Sequence, residues 1–593
     1  MTILGISDSH NASAALLGPD GQLRALQEER PTRIKNFFDV PERSIAWLLA
    51  EAGLRPCDIE EVAIANLAPF AKVDRGMMLQ HFGANGRLIA RTKNMLRQIP
   101  AVESAVDKLV FSRRRAERVR RFTALGFEPE QLRNYEHHLC HAATTYFGGG
   151  IGGEPTLVIT CDGAGDGLCA TVSIGRNGEL ERLYSVHLSH SFGVLYAVVT
   201  YMMGMVPLEH EYKIMGMAPY SSPVLAERMR DRLLDLFVWD PEGAPVWARR
   251  PGVPHTANIH PVLAELFRLQ RFDAVMGGVQ LFTETMLCEL VRRAIARTGL
   301  HRVAASGGVF MNVKANKAVL EMPEVEQLFV FPSCGDETNA IGAAYLAQAA
   351  RHGAASVRPL ASLYLGPEWD EASIEAALKP LAASGSIAIE RPENINAAVV
   401  ECLVAGEVVA RFAGREEFGA RSLGNRAIIA DPRNPAIIQV INDLVKSRDF
   451  WMPFAASILE EWADDYLVNP KRTPAPHMIL SFDTTPLGAA QIRAGIHPYD
   501  KTCRPQVVNR AENPEYWDLI ERFREATGLG ALLNTSLNLH GLPLVHRPED
   551  ALEVLMKSGL RRLAIGPFLV TRQEKVAHSA DVLRRSLAAS TAI

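Results

Sequence analysis

The chain of 593 residues is poor in paired cysteines, in charge of one sign and in long apolar runs, and each shortage excludes something. Its eight cysteines, Cys57, Cys140, Cys161, Cys169, Cys288, Cys334, Cys402 and Cys503, never fall in a Cys-x-x-Cys pair. That argues against a structural zinc and against a disulfide framework, and leaves free thiols packed as small apolar residues. A formal net charge of -4 gives no global electrostatic reason to bind nucleic acid or an anionic membrane. The start, Met1-Thr2-Ile3-Leu4-Gly5-Ile6, turns polar without the basic flank and apolar run of a signal peptide, and no later stretch reads as a membrane span. A cytoplasmic protein is the expectation. Apolar residues make up 48% and charged residues 22%, the mix of a folded enzyme, and the length exceeds one core, so two or three domains are expected.

What is present is a near-repeat. Residues 2–7 read as a strand, Asp8-Ser9-His10-Asn11 as a turn, 14–17 as a second strand, Gly18-Pro19-Asp20-Gly21 as a turn and 22–27 as a third strand. The order recurs: strand 156–161, turn Asp162-Gly163-Ala164-Gly165-Asp166-Gly167, strand 168–174, turn Gly175-Arg176-Asn177-Gly178 and strand 179–186. Two such hairpins, one early in each half, predict a duplicated α/β domain. Glycine lets backbone N–H groups approach a phosphate, and aspartate can hold a cation or a water beside it, so the acidic turns read as a nucleotide cleft or as ordinary hairpins. Two further small-residue segments precede predicted helices: Ala305-Ser306-Gly307-Gly308-Val309-Phe310-Met311-Asn312, and residues 333–344 with Asp336. Each fits an anion at a helix N-terminus, and each alone also fits close strand-to-helix packing.

In His137-His138-Leu139-Cys140-His141 the outer two histidines are four apart, so on a helix both imidazoles leave one face and can share an ion. The same spacing also serves capping or packing. With a carboxylate from Asp336, two imidazoles leave positions open, which suits catalytic Fe, Mn or Zn better than a closed structural site. A basic stretch at 87–121 carries eleven arginines and lysines, including Arg114, Arg115, Arg118 and Arg121. Consecutive arginines spread around a helix, so this reads as a solvated helical insertion, with grip on an acidic acceptor or RNA as the alternative.

These residues resemble a known family. Asp8-Ser9-His10-Asn11-Ala12-Ser13, Glu28-Glu29-Arg30, the 137–141 cluster, and residues 211–220, 417–426 and 532–536 together resemble the O-carbamoyltransferases of secondary metabolism. That group includes the tobramycin, novobiocin, cephamycin and Nod-factor carbamoylating enzymes. The resemblance spans nearly the whole chain. It implies an α/β fold with a duplicated actin-like ATPase (Kae1-like) domain over 1–355, carrying the 87–121 insertion, and an α/β YrdC-like domain over 363–593. It further implies that the second domain makes carbamoyl-adenylate from carbamoyl phosphate and ATP, with Mg²⁺, and that the first passes the carbamoyl group to a hydroxyl of a small metabolite.

By this resemblance Asp8 and His10 supply a proton acceptor, Lys35 lies near the carbamoyl or phosphate groups, and Asp162, Gly163, Gly307, Gly308 and Asn312 cradle the nucleotide. His137, His141 and Asp336 hold the metal, Fe²⁺ first, with Mn²⁺ or Zn²⁺ as alternatives. Carbamoyl phosphate and ATP carry dense negative charge, so Arg415, Arg421, Arg426, Lys446, Arg448, Arg504, Asn534 and Ser536 are the expected binding groups of the second domain. One departure stands out: many relatives show Phe-Arg-Pro-Phe where this chain has Trp451-Met452-Pro453-Phe454. The remaining readings are a tRNA threonylcarbamoylation-type enzyme and a non-catalytic nucleotide-binding protein of the same fold. Nucleic acid is not the expected partner, and a homodimer is the default assembly.

Overall fold

The computed structural model describes residues 2–18, 20–69, 100–150, 154–446, 449 and 451–573. Its first sheet runs in the order Leu23–Gln27, Ser13–Leu17, Ile3–Ser7, Glu61–Ala65, Leu132–Tyr135. The first three strands are antiparallel and the last two join in parallel. The second sheet repeats that plan with Glu179–His187, Leu168–Arg176, Thr156–Gly165, Arg302–Ser306 and Gln327–Val330, again antiparallel and then parallel. The duplication read from the hairpins is therefore a duplication of topology.

Sequence explains which strands sit where. Ile3–Ser7 and Glu61–Ala65 are buried at every position and apolar along most of their length, as central parallel-paired strands must be. Glu179–His187 lies at the sheet edge and is charged and largely exposed, which blunts that edge.

Two helices lie between the sheets. The His137–Gly148 helix packs on the second sheet, the Asn339–His352 helix packs on the first, and the two pack on each other. Their approach needs glycine: a Cβ on Gly342 would fall 2.0 Å from the Cys140 carbonyl oxygen, and one on Gly5 would fall 1.9 Å from that of Ala340. The C-terminal region forms an eight-stranded mixed sheet, with Val409–Phe412, Arg426–Ala430 and Ala531–Ser536 near its centre.

Two expectations need correction. The Phe272–Thr298 helix is long and apolar enough by composition to cross a membrane, yet 72% of its most apolar window is buried inside the protein, so it serves as a core helix. The basic stretch is helical over Pro100–Ala124, and its residues before 100 lie outside the described ones. Its last turns keep a solvated face, with Arg113, Arg115 and Arg120 exposed, but dock the other: Phe122 is fully buried, Arg115 donates to the Leu67 carbonyl and Arg118 is 3% exposed. Gly342→Ala is expected to lower stability by about 1–3 kcal/mol, through overpacking of the two central helices, read as a lower melting temperature.

Candidate functional site

The architecture sends five chain segments to one place. Asp8 follows the first strand, Asp162 lies near the end of its counterpart, Ser306-Gly307-Gly308 closes a neighbouring strand, and His137 and Asp336 begin the two segments that lead into the central helices. Such a crevice beyond the carboxyl ends of strands is where α/β proteins bind ligands.

At its floor, ligand atoms of His137, His141, Asp162 and Asp336 all lie within 4.8 Å of one another. Both imidazoles are fully buried. Nε2 of His137 is 3.1 Å from Nε2 of His141, 3.2 Å from Asp162 and 3.6 Å from Asp336, and His141 Nε2 is 3.5 Å from Asp336. The rings are oriented from behind. Asn66 Oδ1, an acceptor, stands 2.7 Å from His137 Nδ1 and so fixes the proton there, while Ser306 Oγ lies 3.3 Å from His141 Nδ1. Each Nε2 is left facing the centre, where Asn339 Nδ2 approaches His141 Nε2 at 3.2 Å. Two nitrogen lone pairs and two carboxylates held this way fit a divalent transition metal.

In the absence of a cation the two carboxylates draw a proton onto His137, which a bound metal would displace. Burial pulls the His137 imidazole down, but Asp336 and Asp162 outweigh it and hold its pKa up at about 9. Burial pushes Asp162 up and is overcome by the three histidines, so that carboxylate stays ionised. His138, turned away to Thr160 at 2.8 Å, is kept neutral by burial and by its two histidine neighbours.

Around this centre the expected residues separate. Asp162 Oδ1 accepts from the Gly308 N–H at 2.8 Å, Gly307 takes a φ of +106° that brings it against the Cys161 backbone, and Gly163 faces open space. Asn312 instead pairs reciprocally with Gln280 at 2.8 and 2.9 Å and caps the following helix through Ala315 N. Asp8 is engaged at both oxygens by Arg118, at 2.7 and 2.8 Å, with both side chains buried. The same guanidinium donates to the Asn66 carbonyl at 2.9 Å and to Asn134 Oδ1 at 2.6 Å. His10 is half-buried, its pKa lowered by burial against the opposing pull of Asp336, Asp162, Glu29 and Glu209. Lys35 pairs with Glu209 at 3.1 Å.

Residues 2–345 match the family model described as the carbamoyltransferase N-terminus, and residues 400–572 match that described as the carbamoyltransferase C-terminus. The chain belongs to the carbamoyltransferase family. Among its relatives, an uncharacterized protein of Synechocystis is 30% identical over 96% of both chains. Nodulation protein NolNO of Sinorhizobium fredii is 30% identical over 94% of this chain and 79% of its own length. Nodulation protein NolO of Bradyrhizobium diazoefficiens is 31% identical over 76% of this chain and 81% of its own. Among solved structures, full-length HypF in its phosphate- and nucleotide-bound form aligns with a TM-score of 0.32 and 12% identity, over 59% of this chain and 47% of HypF.

In the C-terminal half of this carbamoyltransferase, Lys446 is 3% exposed and its ammonium donates to the Ser536 hydroxyl at 3.1 Å, to the Asn538 carbonyl at 3.2 Å and to the Asn538 side chain. Lys446, Ser536 and Asn538 thus form a cradle. Other expected anion ligands are committed elsewhere. Arg426 is fully buried, lies 3.8 Å over the Phe412 ring and donates to carbonyls of Ala413, Gly414, Asn425 and Pro367. Asn534 donates to Ser422, Ser457 and Gln506 within the sheet. Arg415 reaches across to Glu51 at 3.3 Å, Arg421 lies within electrostatic reach of Cys334, and half-buried Arg504 follows the buried Cys503. Arg448 lies outside the described residues.

The two halves are stitched at the cleft. Arg30 donates to Gln27 and to the Gly419 carbonyl, Gly419 N–H donates back to Gln27, and Arg30 faces Glu416, which pairs with His546 at 2.7 Å. Ser333 accepts from Ala420 N–H and donates to Glu337.

Asn66→Ala, which removes the acceptor behind His137, is expected to weaken divalent-metal affinity about 10–100-fold by isothermal titration. Glu337 is pushed up to about 7 by burial, with Asp336 and Glu29 adding to the effect and Ser333 opposing it. The folded chain therefore keeps a proton that the unfolded chain releases near 4.5, and the stability this group contributes at low pH is lost as pH rises through about 7. Glu337→Gln is expected to flatten the dependence of melting temperature on pH between about 5 and 8.

Proposed function

We propose that this carbamoyltransferase is ATP-dependent and acts in two steps on a hydroxylated small metabolite. The carrying observation is the cluster of buried His137, His141 and Asp162 with half-buried Asp336, beside His10, in a chain whose two halves both match carbamoyltransferase models. In the first step, within a YrdC-like domain spanning 363–593, water cleaves carbamoyl phosphate to carbamate and phosphate. A carbamate oxygen then attacks the α-phosphorus of ATP, pyrophosphate leaves and carbamoyl-adenylate remains. Lys446, Ser536 and Asn538 support this step as a compact cation and polar groups suited to phosphate oxygens.

The second step belongs to the duplicated domain over 1–355. Asp162, Gly163, Gly307 and Gly308 offer a close backbone surface for the adenylate, and Lys35 offers a cation for its charge. His137, His141, Asp162 and Asp336 would hold a divalent metal, Fe²⁺ or else Mn²⁺ or Zn²⁺, which when bound polarises oxygens nearby. The acceptor hydroxyl attacks the carbamoyl carbon, the bond from that carbon to the phosphate oxygen breaks, and AMP leaves. His10 takes the hydroxyl proton. It is favoured over Asp8 because Arg118 already occupies both Asp8 oxygens, whereas burial keeps the His10 imidazole neutral and able to accept.

The decisive measurement supplies carbamoyl phosphate, ATP and Fe²⁺ and follows pyrophosphate. Carbamoyl-phosphate-dependent release is expected in the wild type and in His137→Ala, while only the wild type turns preformed carbamoyl-adenylate over to a carbamate product. ADP or ATP binding without pyrophosphate release would identify a nucleotide-binding protein instead, and normal turnover by His137→Ala would reject the metal's role.

A further inference from the structure

A guanidinium is costly to bury unless its nitrogens find acceptors. Arg118, in the Pro100–Ala124 helix, meets that condition with a side chain 2% exposed. Its Nε and one terminal nitrogen take both oxygens of Asp8, and the other terminal nitrogen donates to the Asn66 carbonyl at 2.9 Å and to Asn134 Oδ1 at 2.6 Å. One fork thus joins three segments: the turn after Ile3–Ser7, the residue after Glu61–Ala65, and the strand Leu132–Tyr135 that leads to His137. The reaction above leaves this arginine unused.

Asn66 is the residue that the fork constrains most. It is fully buried and has a φ of +76°, a left-handed conformation that a non-glycine residue keeps only where its surroundings hold it. What holds it is a ring of hydrogen bonds. Arg118 donates to its carbonyl, the following N–H, that of Leu67, donates to Asp166 Oδ2 at 2.9 Å, and Arg115 Nε donates to the Leu67 carbonyl at 2.6 Å. The same Asp166 oxygen accepts from the His137 N–H at 2.9 Å, and Asn66 Oδ1 stands 2.7 Å from His137 Nδ1, which closes the ring. The imidazole is therefore fixed at its backbone and at its ring by groups whose own places are fixed.

We propose that Arg118 is a positioning residue of the metal cluster: it holds Asn66 in the left-handed conformation, and Asn66 sets the direction in which His137 Nε2 points. The basic helix is then part of the transfer site although it supplies no ligand to it. This rests on the metal reading above and extends it to a residue two contacts away from the ion. A lysine would keep the charge facing Asp8, but its single compact ammonium cannot serve Asp8, Asn66 and Asn134 from the fixed directions of a guanidinium.

The test titrates Co²⁺ into the full-length protein and follows both its affinity and its visible absorption, which reports ligand geometry. Wild type is expected to bind the ion. Arg118→Gln and Arg118→Lys are each expected to weaken binding about tenfold and to shift the absorption. Arg118→Lys leaves Asp8 compensated, so the measurement stands even if Arg118→Gln does not fold. A general scaffold role would act independently of Asn66, whereas a role exerted through Asn66 disappears with it. Asn66→Ala combined with Arg118→Lys is therefore expected to bind Co²⁺ within about twofold of Asn66→Ala alone. Wild-type affinity and absorption in Arg118→Lys, or a second loss of about tenfold on top of Asn66→Ala, overturns the proposal by itself. A wild type that takes up no Co²⁺ overturns it together with the metal reading.

Discussion

The structure turns on the close packing of two helices between two sheets. Gly342 lies against the Cys140 carbonyl, so the His137–Gly148 and Asn339–His352 helices touch backbone to backbone there, and Gly5 lets the second helix press on the first sheet at Ala340. Everything at the cleft depends on this. His137 and His141 belong to the first turns of one helix, and Asp336 lies just before the other. Fixing the distance between the helices therefore fixes the distance between imidazole and carboxylate. Close-packed interiors transmit displacement with little loss, so a methyl group a few residues away is felt at the ligand atoms.

Polar contacts carry that order outward. The Glu28-Glu29-Arg30 motif divides its work: Glu28 accepts from Arg43 and Ser44 at the start of the next helix, Glu29 accepts from Asn36, and Arg30 crosses to Gly419. The Glu211–Met217 helix makes a second crossing, where Lys213 pairs with Asp449 at 3.0 Å, its carbonyl accepts from Trp451, and Gly216 leaves room for Met452. Met452, standing where many relatives have arginine, is buried in this seam. The family motifs thus fall largely where the two halves meet.

Much of this was legible from spacing. The paired hairpins announced the duplicated topology, and a four-residue histidine interval with Asp336 named three members of the buried cluster. Asp162 was read as a nucleotide group and joins the cluster as its fourth member and second carboxylate. Its equivalence to Asp8 in the repeated turn was the available signal. Asn66 and Arg118 left none, because one acts through a left-handed backbone and a contact 71 residues distant, and the other was hidden in a smear of arginines. Arg426, Asn534 and Asn312, expected at anions, are instead engaged by the protein's own groups. Chemistry suited to phosphate also suits carbonyls, amides and helix caps, and only the fold says which is nearer.

The repeated turn carries a last implication. Asp8 and Asp162 occupy matching places in two copies of one design, but Arg118 has claimed the first while the second is left to face imidazoles. A single guanidinium thus separates two matching aspartates, tying one into the scaffold and leaving the other to the chemistry. Among the described residues, one of the two turns supplies a cluster able to hold a metal.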